Sequence, residues 1–67
     1  MSERTYKLIE LVGASEKSYE EAIRNAVAKA GSTITDLAWF EVIELRGGIL
    51  KEGLEYQAKV KIAFKVH

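Results

Sequence analysis

From Leu54 to Val66 the chain alternates without a break. Leu54, Tyr56, Ala58, Val60, Ile62, Phe64 and Val66 fall on one side, and Glu55, Gln57, Lys59, Lys61, Ala63 and Lys65 on the other. Period-two alternation over this length specifies a β-strand with one apolar face. At about 3.4 Å per residue the strand runs to roughly 44 Å. That is long for a chain of 67 residues, and part of the strand is expected to reach beyond its own subunit.

A chain of this size has room for one core, so residues 1–67 are read as a single domain. Such a domain buries only about 60% of its unfolded surface and is marginal without disulfides, metal or neighbours. Cysteine is absent and His67 is the only histidine, which leaves oligomerisation as the way to add buried area and makes a zinc site improbable. Ten basic residues balance ten acidic ones, for a formal net charge of zero and a pI near 6.6. That balance argues against a general nucleic-acid binder, which must neutralise many phosphates. No apolar run reaches the roughly 18 residues of a membrane span. Charges interrupt the first apolar stretch, "MSERTYKLIELVG", as they do not in a secretory signal. The expectation is a cytoplasmic protein with neither a nucleic-acid nor a membrane partner.

Upstream of the long strand the order is strand, helix, strand. "RTYKLIELVG" reads as a first strand ended by Gly13, with Tyr6, Leu8 and Val12 on one face and Ile9 and Leu11 on the other. Ser18-Tyr19-Glu20-Glu21 is a capping box opening a helix. Tyr19, Ala22, Ile23, Ala26, Val27 and Ala30 form its apolar stripe, and Gly31 is the expected C′ residue. Its four alanines make the helix shallow enough to lie close on a sheet. The second strand runs from about Leu37 to Arg46, and Gly47, Gly48 and Gly53 are expected to supply the reversal. A helical crossover leaves the first two strands parallel to each other, and the hairpin returns the third between them, antiparallel to both. The fold class is therefore α+β: β-α-β-β, a three-stranded antiparallel sheet in order 1-3-2 packed on one helix.

Parity then assigns faces. The even residues of the third strand meet Ala22, Ile23 and Val27, with Phe40 and Val42 joining that core. The helix-free face receives Trp39, Glu41, Ile43 and Leu45, with Ile9 and Leu11 from the first strand and Gln57, Lys59, Lys61, Ala63 and Lys65 from the third. Such a face is too apolar for a monomer's surface, so subunit contact is expected there. Glu44 and Arg46 share parity with Phe40, which would aim charges at the core; a bulge near them, or a strand outrunning the helix, resolves the conflict. Glu41 and Glu44, three apart, are read as lying on opposite faces and so make no acid/base pair. No serine or threonine has a histidine base at hand, and catalysis finds no support.

Four segments together resemble one family, the dodecins: "KLIELVGAS", "SYEEAIRNAVAKA", "WFEVIELRG" and "EYQAKVKIAF". The resemblance covers nearly the whole chain. It implies a hollow homododecamer of β-α-β-β subunits in which flavins stack between tryptophans of symmetry-related copies. Trp39 matches the stacking tryptophan, and Gln57 the glutamine that bonds the pyrimidine edge of the ring. Arg46 and Lys65 match basic positions near the ligand or in interface ion pairs. Lys65 stands where arginine is commoner, Ala38 where an acidic residue often precedes the tryptophan, and Ala58 where a bulkier aliphatic is usual. The implied cofactor is a flavin, FMN foremost, with riboflavin, FAD or lumichrome in the same class; relatives also bind coenzyme A, at a separate site with no match among these residues.

The residues suit that implication on their own chemistry. Indole is the most electron-rich flat side chain, and offset stacking contributes about 0.5–1.5 kcal/mol per aromatic pair beyond burial. A carboxamide sets a donor beside an acceptor, as the carbonyls and N–H of a pyrimidinedione require. Read alone, an indole on an apolar face is more often an interface residue, and Gln57 among lysines more often solvated. The rival expectation is thus an assembly protein whose helix-free face serves only subunit contact.

Overall fold

The computed structural model describes residues 3–67. Strand β1 (Thr5–Ser15) leads into helix α1 (Tyr19–Gly31), followed by β2 (Leu37–Leu50) and β3 (Gly53–Val66). The sheet order is β1-β3-β2, and β3 is antiparallel to both neighbours. The expected β-α-β-β topology is therefore the observed one, with the most regularly alternating segment at its centre.

Helix α1 starts as the capping box requires. Ser18 holds an extended backbone, and its side chain accepts from the Glu21 amide at 3.0 Å, satisfying one of the free N–H groups of the first turn. Its far end departs from expectation. Gly31 remains inside the helix, and Ser32 caps it in a right-handed conformation, its hydroxyl donating to the Lys29 carbonyl at 2.6 Å. The left-handed residue is Asp36 instead, φ 61°, a conformation that a short polar side chain tolerates. Its carbonyl accepts from the Lys65 amide at 3.1 Å and its carboxylate pairs with the His67 ring, so the crossover is pinned to the end of β3 as it turns into β2.

The glycines serve purposes other than those expected. Gly13 does not end β1, which runs on to Ser15. A Cβ at Gly13 would stand 1.9 Å from the Ala22 carbonyl oxygen and 3.0 Å from the Ala26 Cβ. Glycine is required there for close approach of helix and strand. Gly47 and Gly48 likewise continue β2, opposite Tyr56 and Glu55, and the reversal is the pair Lys51–Glu52 beyond the matched residues Leu50 and Gly53. Backbone pairing along the whole hairpin outweighs the weak strand preference of two glycines.

The close approach at Gly13 decides which strands the helix covers. Ala22, Ala26 and Ala30 are buried against Ala58, Val60 and Ile62, with Ile9, Leu11, Ile23, Val27 and Leu37 packed around them. Burying Val60 and Ile62 contributes about 1.5–3 kcal/mol each. Ile9 and Leu11 thus belong to the helix side and not to the helix-free face. In the register they lie opposite Ile62 and Val60, while Tyr6, Leu8 and Val12 lie opposite Lys65, Ala63 and Lys59. Parity alone could not make that choice, because both sides of β1 are apolar. Phe40 and Val42 do face the helix side, opposite Ile62 and Val60, but they remain 48% and 42% exposed. A helix seated over β1 and β3 stops short of β2, so they flank the core without joining it.

The expected bulge is present. Val42 pairs with Val60 and Glu44 with Lys59, leaving Ile43 as the extra residue. Beyond it every side chain changes face. Leu45 lies opposite Ala58 on the helix side, and Glu44 and Arg46 lie opposite Lys59 and Gln57 on the helix-free side. Two expectations are corrected together: Leu45 leaves the helix-free face, and Glu41 and Glu44 share it.

Candidate functional site

The helix-free face of β3 carries two separate clusters. At one end Trp39 lies opposite Ala63. Ala63 is fully buried although it is on the side away from the helix, because Trp39 and Leu8 flank it on the adjacent strands. The Tyr6 ring, from the position opposite Lys65, meets the indole with centroids 4.8 Å apart and planes tilted by 59°. Tyr6 thus braces the indole on one side, while Trp39 stays 46% exposed. Lys65 sits two residues beyond Ala63 on the same face.

At the other end Arg46 and Gln57 face each other across β2 and β3. The bulge at Ile43 is what brings them together. Arg46 Nε donates to Gln57 Oε1 at 2.8 Å, and Gln57 Nε2 donates to Glu55 Oε1 at 2.7 Å. Glu44 lies 3.8 Å from Arg46 and 3.9 Å from Lys59. Pairs this exposed contribute about 0–1 kcal/mol to stability, so their effect is to orient the guanidinium. Glu41 and Glu44 are both on this face, but opposite Lys61 and Lys59, so each is placed for charge pairing.

The four residues singled out from the sequence therefore divide into two pairs, Trp39 with Lys65 and Arg46 with Gln57. Gln57 precedes Ala63, the partner of Trp39, by six positions on one strand, which separates the clusters by roughly 20 Å. That exceeds the width of one three-ring ligand. Sequence reading did not name Tyr6, Glu44 or Glu55 among the site residues. Glu55 was accessible from its i, i+2 relation to Gln57, whereas Tyr6 and Glu44 required the register of β1 and the position of the bulge.

An apolar concavity lies elsewhere. It measures about 730 Å³ and lies between α1 and the uncovered edge of β2, lined by Ile23, Val27, Ala28 and Phe40 with Glu20 and Arg24 at its rim. The two rim charges pair with each other at 3.0 Å, so no free polar group converges on it. No helix among the described residues is long and apolar enough to cross a membrane.

A family model described as Dodecin matches residues 5–67, the whole sheet and helix. The chain belongs to the dodecin family. It is 45% identical over 64 residues to the dodecin of Thermus thermophilus, covering 94% of this chain and 93% of that one. The structure of the dodecin from Streptomyces davaonensis superposes with a TM-score of 0.92 at 34% identity, over 98% of both chains. A protein of Mycobacterium tuberculosis named calcium dodecin is 32% identical over 62 residues, covering 91% of this chain and 87% of its own. Among the described residues of this dodecin, no three His, Cys, Asp or Glu side chains gather as a metal site would require.

Proposed function

We propose that this dodecin is a flavin-binding protein that stores or sequesters flavin without turning it over, and that its binding site is shared between copies of the chain. In this reading Trp39 of one subunit supplies the stacking surface, and Gln57 with Arg46 of another takes the pyrimidine edge of the same ring. The roughly 20 Å between the two clusters carries the reading, because one protomer cannot offer both to a single isoalloxazine. A two-fold axis between helix-free faces joins the clusters reciprocally, since each copy contributes its Trp39 to one site and its Gln57 to the other. The closed assembly in this reading is a homododecamer, as the resemblance to the dodecins implies.

The residues present fit the group. Trp39 is flat, half-exposed and braced by Tyr6. Gln57 retains one lone pair on Oε1 and one N–H on Nε2 after its bonds to Arg46 and Glu55, which matches a pyrimidinedione edge. Lys65 adds positive charge on the same strand face as the indole, suiting the ribityl phosphate of FMN or FAD over neutral riboflavin or lumichrome.

Bound flavin supplies a ring that oxidises strongly when photoexcited. Trp39, stacked on such a ring, would give it one electron on excitation and take it back, so that excitation would be dissipated with no net redox change. Mixing the chain with riboflavin is expected to quench most flavin emission. Trp39→Ala is expected to abolish most of that quenching while the assembly keeps its elution volume. Undiminished emission at saturating protein refutes the flavin reading and leaves the helix-free face a subunit contact only.

A further inference from the structure

We propose that Glu55 is a positioning residue for ligand selectivity: with Arg46 it locks the Gln57 carboxamide in the one orientation that can read the N3–H of a pyrimidinedione. The proposal rests on the flavin-binding reading above and adds to it a residue and a chemical discrimination.

A glutamine amide turned by 180° exchanges its oxygen and nitrogen with almost no change of shape. On a strand face such a group is free to flip unless its neighbours distinguish the two forms. Here they do. A guanidinium has only donors and an ionised carboxylate only acceptors. Arg46 Nε donates to Oε1 at 2.8 Å and Nε2 donates to Glu55 Oε1 at 2.7 Å. The flipped amide would set its N–H groups against Arg46 and its oxygen against the Glu55 carboxylate, losing two charge-assisted bonds at once. Arg46 alone leaves the nitrogen end unheld; the carboxylate fixes it.

Two features keep the locked amide usable. Oε1 retains a second lone pair and Nε2 a second N–H, so the amide can accept from N3–H and donate to the adjoining carbonyl. Directly across β2 from Glu55 stands Gly48, where a Cβ would lie 3.6 Å from Glu55 Oε1 and 3.7 Å from Gln57 Nε2. A longer side chain there would cover the amide, and glycine leaves the approach open.

The test is a pair of fluorescence titrations on the assembled full chain, one with riboflavin and one with N3-methylriboflavin, in which a methyl group replaces the N3 proton. The unaltered chain is expected to prefer riboflavin by about ten- to hundredfold, the range for one buried group left unpaired. Glu55→Ala is expected to shrink that ratio to within about threefold, whereas Glu55→Gln, whose side-chain oxygen still accepts, keeps most of it. In a Gln57→Ala background, Glu55→Ala is expected to change nothing further. The depth of quenching at saturation, set by Trp39, should be the same for the unaltered chain and the two Glu55 variants. A wild-type ratio preserved in Glu55→Ala overturns the proposal, as does a ratio lost equally in Glu55→Gln or an unaltered chain that does not discriminate. In those cases riboflavin is still bound and quenched, and flavin binding with stacking on Trp39 survives. No binding of either flavin by the unaltered chain refutes both.

Discussion

Gly13→Ala is the sharpest available test of how helix and sheet meet. The new Cβ would stand 1.9 Å from the Ala22 carbonyl oxygen, with the Ala22 carbonyl carbon and the Ala26 Cβ both at 3.0 Å. Ordinary contact between carbon and oxygen needs well over 3 Å, so the helix must retreat by roughly 1–1.5 Å. The nearest obstacle is backbone, which cannot swing aside as a side chain does. Retreat would also unseat the alanines that close the core, since Ala22, Ala26 and Ala30 are the helix residues buried against Ala58, Val60 and Ile62. Overpacking of this kind costs about 1–3 kcal/mol and sometimes more, and the top of that range applies here. A domain of this size holds only about 3–10 kcal/mol in all. A loss of about 3 kcal/mol lowers its melting temperature by roughly 12–24 °C. The assay is thermal unfolding by circular dichroism at one fixed chain concentration, because assembly makes the midpoint concentration-dependent. Gly53→Ala is the control: nothing lies within 4 Å of its added Cβ, no glycine has positive φ, and the expected change is within about 1 kcal/mol. A Gly13→Ala midpoint within a few degrees of the parent would refute the claim that this glycine sets the helix–sheet spacing.

The shared site makes a prediction about mixtures. When Trp39→Ala and Gln57→Ala chains are unfolded together and reassembled one to one, random two-fold pairing gives about a quarter of sites both an intact indole and an intact amide. At a riboflavin concentration low enough to fill only sites with an intact amide, quenching should return to that extent, whereas a site confined to one chain would recover nothing. At the helix start, Ser18→Ala removes the acceptor for the Glu21 amide and should cost about 1 kcal/mol, read as a denaturation midpoint shift with unchanged slope. An unchanged midpoint would mean that water or another group satisfies that amide equally well.

Much of this dodecin was legible in its sequence, and the reason is physical. Unbroken alternation from Leu54 to Val66 leaves a single pleated solution. The Ser18–Glu21 box and the alanine stripe fix a helix start and a buried face. Two adjoining strands that must both pair with the long one set the order. These are local patterns whose period is itself the information. Trp39 and Gln57 could be placed on the helix-free face by counting along single strands.

Counting fails where a position depends on a partner. Both sides of β1 are apolar, so only the register and the contact of Gly13 with Ala22 decide that Ile9 and Leu11 face the helix. One unpaired residue, Ile43, reverses parity for the rest of β2; it moves Leu45 to the helix side and sets Arg46 against Gln57. The same strand geometry separates Trp39 from Gln57, a distance that no list of matching residues contains. The sequence by itself determined the elements, their order and the chemistry on offer. Tertiary structure decided which groups meet, because a side chain's neighbours across a sheet are set by pairing and bulges, which are properties of two strands at once.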